Sequence, residues 1–541
     1  MTDIKDPVVI ENIVVRDLVR VQSTATDGRL ANIFWRQDQL RALHGALVTH
    51  EKDALAAIEH DAPHNTPTEA KLEFYLALAA VKQQYSSLDP QRSLDDEYRI
   101  KHGKDASDRR DAVGIVYIEP STQHTLFYSA LVALASAIAA GNCVVLRVSN
   151  LIQLQGWPKT HILQLETTSL RRVPSILQTI LKASLDPDVY AIISSPPSGW
   201  LDPATTIQVL QNGAPENAPT SSQDLVSPTR ARVLAVVDRT ADIPAAARSL
   251  VAARFSYGGR SPYAPDLVLV NEFVKTAFLE AAVQETIRFL AEGGSNGSST
   301  NGAANGNVKV RREKEDAELS ELKTAESVRV VTSGANGAVV EIESRTSPLI
   351  SKANKIHTRC LAIHATTSLD DSIDLLNRQH ATQPTPLAAY LFADPASAKY
   401  LAQFLRARAT YTNHVPYKLL LGPALPVVAA ALPSASASPY PPSLFTTPHP
   451  DFAVPSSLSA SLSTILASTT KTTSTSSSPL NALAKDATAP LPPNRKYKKG
   501  VGFFEQGILI GLGLTAGPIL VGVLAATWVG GRWVWGHYYG R

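Results

Sequence analysis

The sequence predicts an α/β fold with parallel sheets, followed by a C-terminal transmembrane helix. The first observation is a strand–helix–strand unit: AVGIVYIEP ends at Pro120, a helical Ala/Leu-rich segment runs from about Thr125 to Ala140, and CVVLRV is a second buried strand. Such a unit implies parallel strands covered by helices. The second observation is an uncharged run of 24 residues, from Gly507 to Gly530. As a helix it would span about 36 Å, enough to cross a bilayer core of about 30 Å.

Helical and strand-like segments alternate along the chain, as this class requires. From about Asn32 to Leu88, apolar residues recur three and four positions apart, which predicts amphipathic helices. Further along, RRVPSILQTILKAS, DIPAAARSLVAARFS and EFVKTAFLEAAVQETIRFLAE have helical patterns, whereas VYAIISS, RVLAVVD and APDLVLV are strand-like. A series of α/β units of this length predicts at least two sheets.

Composition and charge exclude several functional classes. The 541 residues carry a formal net charge of +3, and Lys and Arg are interspersed with Asp and Glu, so we expect no nucleic-acid partner. The two cysteines, Cys143 and Cys360, exclude a disulfide-rich scaffold, and both are predicted as buried thiols on strands. No HExxH or CxxC pattern occurs in the sequence, so we expect no protein-bound metal.

The pattern predicts two α/β domains, at 1–230 and 231–430, and three disordered stretches. Residues 214–230 are rich in Pro, Ser, Thr and Gln, residues 291–307 in Gly, Asn and Ser, and residues 431–499 in Ser, Thr, Pro and Ala. Such compositions bury too little apolar surface to offset the entropy of ordering. The last stretch is predicted to be a stalk that precedes the transmembrane helix.

The residues around the apolar run 507–530 predict its orientation. Three tryptophans and two tyrosines cluster at its far end, where an interfacial aromatic belt lies, and four basic residues within 495–499 precede it. The positive-inside tendency then leaves the preceding chain facing the cytosol. We expect the endoplasmic reticulum membrane, with the outer mitochondrial and peroxisomal membranes as alternatives. The pairs Gly507/Gly511 and Gly513/Gly517 form two GxxxG motifs, a candidate dimer face.

Several blocks between about Asn32 and Pro416 resemble the aldehyde dehydrogenase superfamily. AVGIVYIEP with LVALASAIAAGNCVVLRVSN resembles the superfamily's strand, helix and "ALAAGN-x-VV-x-K-P" strand. VVDRTADIPAAARSLVAARFSYGGRSPYAPDLVLVNE resembles the nucleophile segment, and PLAAYLFADPASAKYLAQFLRARATYTN resembles the late "GLAA" helix that ends in an Asn, here Asn413. The sequence pattern RF…GG…APD most resembles that of the class that includes membrane-anchored fatty aldehyde dehydrogenases. The resemblance implies a Rossmann-like cofactor domain, a catalytic-type domain, and NAD(P)-dependent aldehyde oxidation through a cysteine thioester.

The resemblance also implies that the catalytic residues have been replaced. An ungapped alignment of the nucleophile segment places Pro262 at the cysteine, and proline has neither a nucleophilic atom nor a backbone N–H. The Asn that helps to hold the oxyanion falls on Thr122 in PSTQH. The glutamate base falls near Pro228, and the nearest carboxylate is Asp224, in a stretch predicted to be disordered. We therefore predict that no catalytic residue is retained.

The candidate cofactor-binding residues are Arg147, Ser149, Ser194 and Ser195. Arg147 stands at the ribose-binding lysine and keeps its charge but not its geometry. The superfamily's phosphate-binding "FTGS" turn aligns with Ile193–Pro196, which lacks the glycine. The glutamate that binds a ribose of the cofactor aligns near Asn354. Binding of NAD(P) therefore stays open.

Three further side chains are expected near this site. His124 follows the predicted substrate turn and is either a ligand contact or a structural histidine. Tyr257 and Tyr263 would flank Pro262, and we predict that they fill the space of a lost substrate channel.

Two functional hypotheses follow. The first is a catalytically inactive, membrane-tethered homologue that acts as a scaffold or regulatory partner, either as a homodimer or as a heterodimer with an active homologue. The alternative is an NAD(P)-dependent oxidoreductase of aldehydes with a non-standard active site. Binding of NAD(P) would distinguish them.

Overall fold

The computed structural model describes most of the chain. The described residues are 7–148, 171–194, 200, 202–214, 221, 223–294, 319–325, 327–334, 337–351, 355–378, 384–426, 439–467, 479–492 and 502–538. Contacts divide the chain into two compact units, Met1–Val454 and Pro455–Arg541.

Helices occupy the N-terminal region, and those between Ile33 and Ser87 confirm the helices predicted from about Asn32 to Leu88, whereas the first and the fifth lie outside that range. They are α1 (Pro7–Asp27), α2 (Ile33–Thr49), α3 (Glu51–Asp61), α4 (Pro67–Ser87) and α5 (Pro90–Glu97). The start of α4 shows why the sequence folds in this way. The Thr66 hydroxyl accepts a hydrogen bond from the Glu69 N–H, and the Glu69 carboxylate accepts one from the Thr66 N–H. Pro67 takes the first helical position, where its missing N–H is not needed.

The described residues form three sheets. Their strands are β1 (Arg110–Ala112), β2 (Ile115–Glu119), β3 (Cys143–Arg147), β4 (Tyr190–Ile193), β5 (Thr206–Leu210), β6 (Leu225–Val226), β7 (Val233–Val237), β8 (Leu267–Asn271), β9 (Val328–Gly334), β10 (Gly337–Ile342), β11 (Cys360–Thr366), β12 (Ala388–Phe392), β13 (Thr410–Thr412) and β14 (Thr446–Pro448). One sheet has the order β4-β3-β2-β5-β6 and is parallel throughout. A second has the order β13-β12-β7-β8-β11-β10-β9, and only its β9–β10 pair is antiparallel. The predicted α/β fold with at least two sheets is confirmed.

Helices connect most of these strands. They are α6 (Leu126–Ala139), α7 (Arg172–Ser184), α8 (Ile243–Phe255), α9 (Lys275–Gly294), α10 (Pro348–Ser351), α11 (Leu369–Asn377), α12 (Pro395–Phe404) and α13 (Tyr417–Leu421). Helix α6 joins β2 to β3, which lie parallel, so the predicted strand–helix–strand unit is confirmed. Every residue of α6 after Leu126 is buried, because its sequence is apolar or small on all sides. Both cysteines are buried free thiols at the starts of β3 and β11, as predicted.

The prediction of a disordered stalk over 431–499 is wrong for residues 439–454, and the helices Ser457–Ala467 and Pro479–Ala487 also lie within that stretch. Strand β14 pairs antiparallel with β1, and the side chains of Tyr440 and Phe445 are fully buried in the first unit. The Asn142 side chain donates a 3.0 Å hydrogen bond to the Phe445 carbonyl. Two buried aromatic side chains and a strand pairing stabilise this segment, although its average composition is that of a linker.

The prediction of disorder over 214–230 also needs correction. Strand β6 lies within this stretch, and Asp224 is buried immediately before it. The Asp224 carboxylate accepts hydrogen bonds from the backbone N–H groups of Gln208 (3.0 Å) and Ser221 (2.6 Å). The buried Asp224 carboxylate and the two backbone N–H groups thus find hydrogen-bond partners within the protein. This pairing lets the segment join the sheet, which its average composition does not predict.

Two smaller differences concern later segments. Helix α9 continues to Gly294, so the predicted linker 291–307 begins in a helix, and its remainder lies outside the described residues. The segment compared with a late helix contains strand β12, helix α12 and strand β13 in turn. Asn413 follows β13 with a φ of 57°, and its side-chain amide exchanges two hydrogen bonds with the backbone of Ala393. Its role is thus to join the ends of two neighbouring strands.

The second unit contains three described helices. They are α14 (Ser457–Ala467), α15 (Pro479–Ala487) and α16 (Phe503–Tyr538). Within α16, residues Glu505–Trp533 are long and apolar enough to cross a membrane, with a mean hydropathy of 2.3 and none of it buried. Pro518 lies inside this helix. The predicted apolar helix over 507–530 is confirmed as a helix.

Candidate functional site

A small cavity of about 30 Å³ lies between the N-terminal helices and the turn that follows β2. Its polar lining comes from Asp61 at the end of α3, Glu73 in α4, the turn Thr122–Leu126, and Arg171 just before α7. A volume of this size holds about one or two water molecules. Ionisable groups from four parts of the chain therefore meet in a confined space.

Glu73 is the buried acid of this cavity. Its Oε1 accepts hydrogen bonds from the backbone N–H groups of Phe127 (3.1 Å) and Tyr128 (3.4 Å), at the start of α6. Burial raises the pKa of Glu73 to about 7, because these two hydrogen bonds offset only part of the desolvation. Glu73 therefore changes its charge near neutral pH.

His124 is held as a neutral imidazole. Its Nε2 lies 2.7 Å from the Leu420 carbonyl oxygen, so Nε2 carries the proton and Nδ1 is the acceptor. Burial lowers the pKa of His124 to about 4. The next residue, Thr125, donates its hydroxyl proton to the Leu421 carbonyl. These bonds tie the turn to α13 and favour the structural role for His124.

Tyr257 has a left-handed backbone beside His124. Its φ is 52°, its N–H donates to Glu69 Oε1 at 2.8 Å, and its ring meets the His124 ring edge-on with centroids 5.5 Å apart. The following Gly258 has a φ of 69°, and a Cβ there would lie 2.5 Å from the His64 ring. Only glycine fits that position without a shift of its neighbour.

Asn212, two residues after β5, holds the turn that follows β2. Its Oδ1 accepts from both the N–H (3.0 Å) and the hydroxyl (3.2 Å) of Thr122. Its Nδ2 donates to the Pro120 carbonyl at 2.9 Å and to Glu119 at 3.3 Å. The Thr122 carbonyl accepts from Arg171 at 2.8 Å. The donors of Thr122 are therefore already bonded within the protein.

Arg147, the last residue of β3, is paired with a carboxylate. Its Nη1 donates to Glu119 Oε2 at 2.6 Å, across the neighbouring strands β3 and β2, and its Nε donates to the Ser194 carbonyl at 3.2 Å. Both side chains are about three-quarters buried, with exposed fractions of 28% and 24%. A charge-assisted bond of this kind is strong. An anionic ligand at this strand end would compete with Glu119 for the guanidinium.

Arg254 fixes the segment between α8 and β8. Its guanidinium is fully buried and lies 3.3 Å from Asp266. It also donates to the backbone carbonyls of Gly259, Pro265, Ile356 and Thr358. One side chain therefore joins both ends of this segment to the loop before β11.

Asp266 is the anion of this buried cluster. Its Oδ2 accepts from the Val233 N–H (2.8 Å) and from Lys355 Nζ (2.9 Å), and its Oδ1 accepts from the Ile356 N–H (3.1 Å) and from Arg254. Burial by itself raises the pKa of this carboxyl, but Lys355 and Arg254 outweigh burial and hold it below its usual value. Asp266 is therefore ionised in the folded protein.

The fold is similar to that of solved aldehyde dehydrogenases over most of its length. The Staphylococcus aureus protein AldH in its substrate-bound state matches with a TM-score of 0.57 and 18% identity, over 81% of this chain and 94% of that one. An NAD-dependent benzaldehyde dehydrogenase from Corynebacterium glutamicum matches with a TM-score of 0.54 and 15% identity, over 74% and 86%.

In sequence, the chain is 22% identical over 390 residues to 4,4'-diaponeurosporen-aldehyde dehydrogenase of Staphylococcus aureus. This alignment covers 68% of this chain and 77% of that relative. No family model matches the chain. The chain is therefore similar in fold to aldehyde dehydrogenases, and distantly similar in sequence to one of them. Its α/β fold with parallel sheets is the aldehyde dehydrogenase-like fold that the sequence predicts.

The segment predicted to align with the nucleophile segment holds two buried tyrosines around Pro262. Pro262 is half-buried, between Ser261 and Tyr263, which are fully buried. The Tyr263 hydroxyl accepts from the Leu425 N–H at 3.3 Å, and Tyr257 is 5% exposed. The burial of both tyrosines agrees with the space-filling role expected of them. The equivalence of Pro262 with the superfamily's cysteine, and of Thr122 with its oxyanion Asn, stays a prediction.

The candidate cofactor residues are only partly described. Ser149 and Ser195 lie outside the described residues, whereas Arg147 and Ser194 are bonded to each other. An anion that binds Arg147 at this strand end competes with Glu119 for the guanidinium, and NAD(P) binding stays a prediction to be tested. In the described part of the chain, no group of three or more His, Cys, Asp or Glu side chains could hold a metal ion. The segment near Asn354 also lies outside the described residues.

Sequence reasoning missed strand β5 and the two amides that follow it. Gln211 accepts from the Ser121 N–H at 2.9 Å, and Asn212 holds Thr122 as described above. The turn after β5 therefore contacts the Thr122 turn, and it contains Gly213 with a φ of 93°. The run TIQVL followed by the dipeptide Asn-Gly, a turn signal, could have revealed it.

Proposed function

We propose that the chain is a membrane-anchored aldehyde dehydrogenase-like protein that has lost the superfamily's thioester chemistry and acts as a scaffold or regulatory partner. One observation carries this proposal. Both donors of Thr122, the residue predicted at the oxyanion amide, are bonded to Asn212. The predicted nucleophile position holds Pro262, which supplies neither a thiolate nor an N–H to an oxyanion.

The missing groups act at different steps of the reaction, so their losses accumulate. Removal of one oxyanion donor lowers kcat by about 10²–10³-fold, and a general base contributes about 10²–10⁴-fold. The predicted base position lies near Pro228, and the nearest carboxylate, Asp224, is already bonded to the N–H groups of Gln208 and Ser221. These contacts support loss of the hydrolytic step as well as of the nucleophilic one.

The test measures cofactor binding and catalysis by the full chain in detergent micelles. We expect no change in nicotinamide fluorescence when NADH is titrated to millimolar concentration, and no NADH formation from NAD⁺ and decanal. The variant Pro262→Cys is the matched control. It is expected to stay inactive, because the donors of Thr122 and the base are still missing. NADH formation by the parent chain would refute the proposal, and activity of Pro262→Cys alone would show that only the nucleophile was lost.

The proposed anchor is helix α16, whose apolar span Glu505–Trp533 is exposed in its unit. We expect the full chain to stay in the membrane pellet after carbonate extraction, and a chain ending at Lys499 to be released. Retention of the shortened chain would contradict the anchor. We assign the anchor to the endoplasmic reticulum with the first unit in the cytosol, so protease added to intact microsomes should digest that unit.

A partner of the same fold is the proposed target of the scaffold. Strands β1 and β14 form a two-stranded sheet, so each has one edge that a further strand can pair with. We expect two differently tagged copies of the chain, or one copy and an active homologue, to co-purify after co-expression. If two tagged copies of the chain do not co-purify, the homodimer is contradicted. If the chain does not co-purify with an active homologue, the heterodimer is contradicted.

One observation favours the alternative, an NAD(P)-dependent oxidoreductase with a non-standard site. Glu73 is a buried carboxyl with a pKa of about 7 beside a cavity, as a general base would be. The substrates would be long apolar aldehydes, as the name of the 4,4'-diaponeurosporen-aldehyde relative and the resemblance to fatty aldehyde dehydrogenases indicate. If the parent chain is active, Glu73→Gln should abolish kcat and leave KM unchanged. Activity that survives this change would exclude Glu73 as the base.

A further inference from the structure

Helix α14 presents an apolar stripe to solvent. Leu458, Leu462 and Leu466 have exposed fractions of 53%, 37% and 70%, although α15 contacts α14. These leucines are four residues apart, so they lie on one side of the helix. Ile465 follows Leu458 at a spacing of seven and falls on the same side. An exposed apolar row of this kind on a short helix needs a partner.

The rest of α14 identifies the chemistry of that partner. Its sequence, SLSASLSTILA, contains no charged residue, and its polar positions are all serine or threonine. Interfacial helices that bind anionic lipid carry Lys and Arg on the polar face, whereas this helix has no such electrostatic attraction. Its affinity must come from insertion of the leucines, which is most favourable where lipids are loosely packed and neutral.

We propose that α14 lies in the headgroup region of the bilayer that α16 spans, with its leucine stripe buried among loosely packed neutral lipids. The inference rests on the proposed membrane anchor. Residues 468–502, which include helix α15, connect the two helices, and a connection of this length can bridge on the order of several tens of Å. The bilayer that holds α16 is therefore within reach of α14.

Tethering offsets the shortness of the helix. Four Leu and Ile side chains contain about as many carbons as one myristoyl chain, which associates with membranes with a constant of about 10⁴ M⁻¹. Attachment through a connection of this length gives an effective concentration on the order of millimolar. The product of the two is about 10, so α14 is bound most of the time when α16 is inserted. Without α16, the same helix should bind vesicles only weakly.

Fluorescent labels on two sides of α14 test this placement. The native Cys143 and Cys360 are buried, so the variants Leu462→Cys and Ser463→Cys can be labelled selectively with the environment-sensitive fluorophore nitrobenzoxadiazole. Position 463 is the matched control, because it lies about 100° away around the helix. Each full-length chain is reconstituted into neutral phosphatidylcholine vesicles, of small or large diameter. We expect a blue-shifted, brighter emission at 462 than at 463, and a larger difference in the small, highly curved vesicles.

Three outcomes would overturn the inference. Equal emission at the two positions in vesicles that carry the chain upward in a flotation gradient would refute the interfacial helix and leave the anchor intact. A chain that does not float with the vesicles would refute the anchor and the interfacial helix together. A blue-shifted label at 462 in a lipid-free chain ending at Lys499 would show that protein, not lipid, covers the stripe.

Discussion

The substitution Asp266→Asn tests whether the segment around Pro262 is held as a fixed structural element. The Asp266 carboxylate accepts from Val233 and Lys355 on one oxygen and from Ile356 and Arg254 on the other. An asparagine has one acceptor oxygen, so whichever way its amide turns, two of these four donors face an N–H group.

The expected loss follows from this count. Two buried donors without an acceptor cost about 1–3 kcal/mol each, and breaking a buried ion pair typically costs about 3–5 kcal/mol. We therefore expect the Asp266→Asn chain to be less stable by about 3–5 kcal/mol. Both Lys355 and Arg254 stay buried in the variant, which places the loss toward the upper end.

Thermal unfolding of chains ending at Lys499 measures this loss. The matched control is Arg248→Ala, because Arg248 contacts Glu285 at 3.4 Å with 63% of its side chain exposed. Such a surface pair contributes about 0–1 kcal/mol. The Tm of Asp266→Asn should fall clearly below that of the control. A fall no larger than that of Arg248→Ala would refute the idea that the cluster holds the segment.

The same variant has a signature in its pH dependence. The pKa of Asp266 is lower in the folded chain than its ordinary value of 3.8, so its stabilising effect is complete above that value. The effect is lost as the pH falls through the folded-state pKa. The difference in Tm between the parent and Asp266→Asn should therefore be constant near neutral pH and shrink below about pH 3.8. A difference that grew on acidification would contradict this assignment.

Three further outcomes follow from other contacts. Burial raises the pKa of Glu73 from 4.5 to about 7, so it destabilises the fold by up to about 3 kcal/mol above pH 7 and not below pH 4.5. The Tm of Glu73→Gln relative to the parent should therefore be higher at pH 8 than at pH 4.5; an equal difference would contradict the shift. Gly258→Ala should lower the Tm more than Gly103→Ala. Both glycines have a left-handed φ, but only a Cβ at Gly258 meets the His64 ring. Equal decreases in Tm would exclude that clash. A chain ending at residue 430 should melt below one ending at residue 454, because it loses the buried Tyr440 and Phe445, and equal Tm values would refute their role in the core.

The parts of the fold that the sequence predicts correctly are those with a strong local pattern. Helix α6 and strand β3 are nearly continuous apolar runs bounded by a turn, and the structure has them within a residue or so of the expected bounds. Strand β5 was missed because TIQVL is short and places Thr and Gln among its apolar residues. The prediction of disorder for segment 439–454 is wrong because it rests on average composition. An average does not show that two aromatic side chains of the segment are buried in the core.

The candidate site was less predictable, because its contacts join distant parts of the chain. The predicted alignment of Pro262 with a catalytic cysteine rests on one ungapped segment of sequence. In contrast, the bonds between Thr122 and Asn212 join the turns that follow two neighbouring strands, and the pair Arg147–Glu119 also depends on strand order. No local pattern specifies such pairings. They become visible only when the sheet order is known.

These pairings bear on whether catalysis could return by a single substitution. An oxyanion site works because its donors are fixed in place and still available to the developing charge. In this chain the donors of Thr122 belong to Asn212 and the guanidinium of Arg147 belongs to Glu119. A ligand that takes these donors competes with Asn212 and Glu119, which would keep only the 3.3 Å hydrogen bond between them and the bond from Asn212 to the Pro120 carbonyl. These contacts compete with ligand binding at the strand ends, so we expect Pro262→Cys alone not to give the chain thioester chemistry.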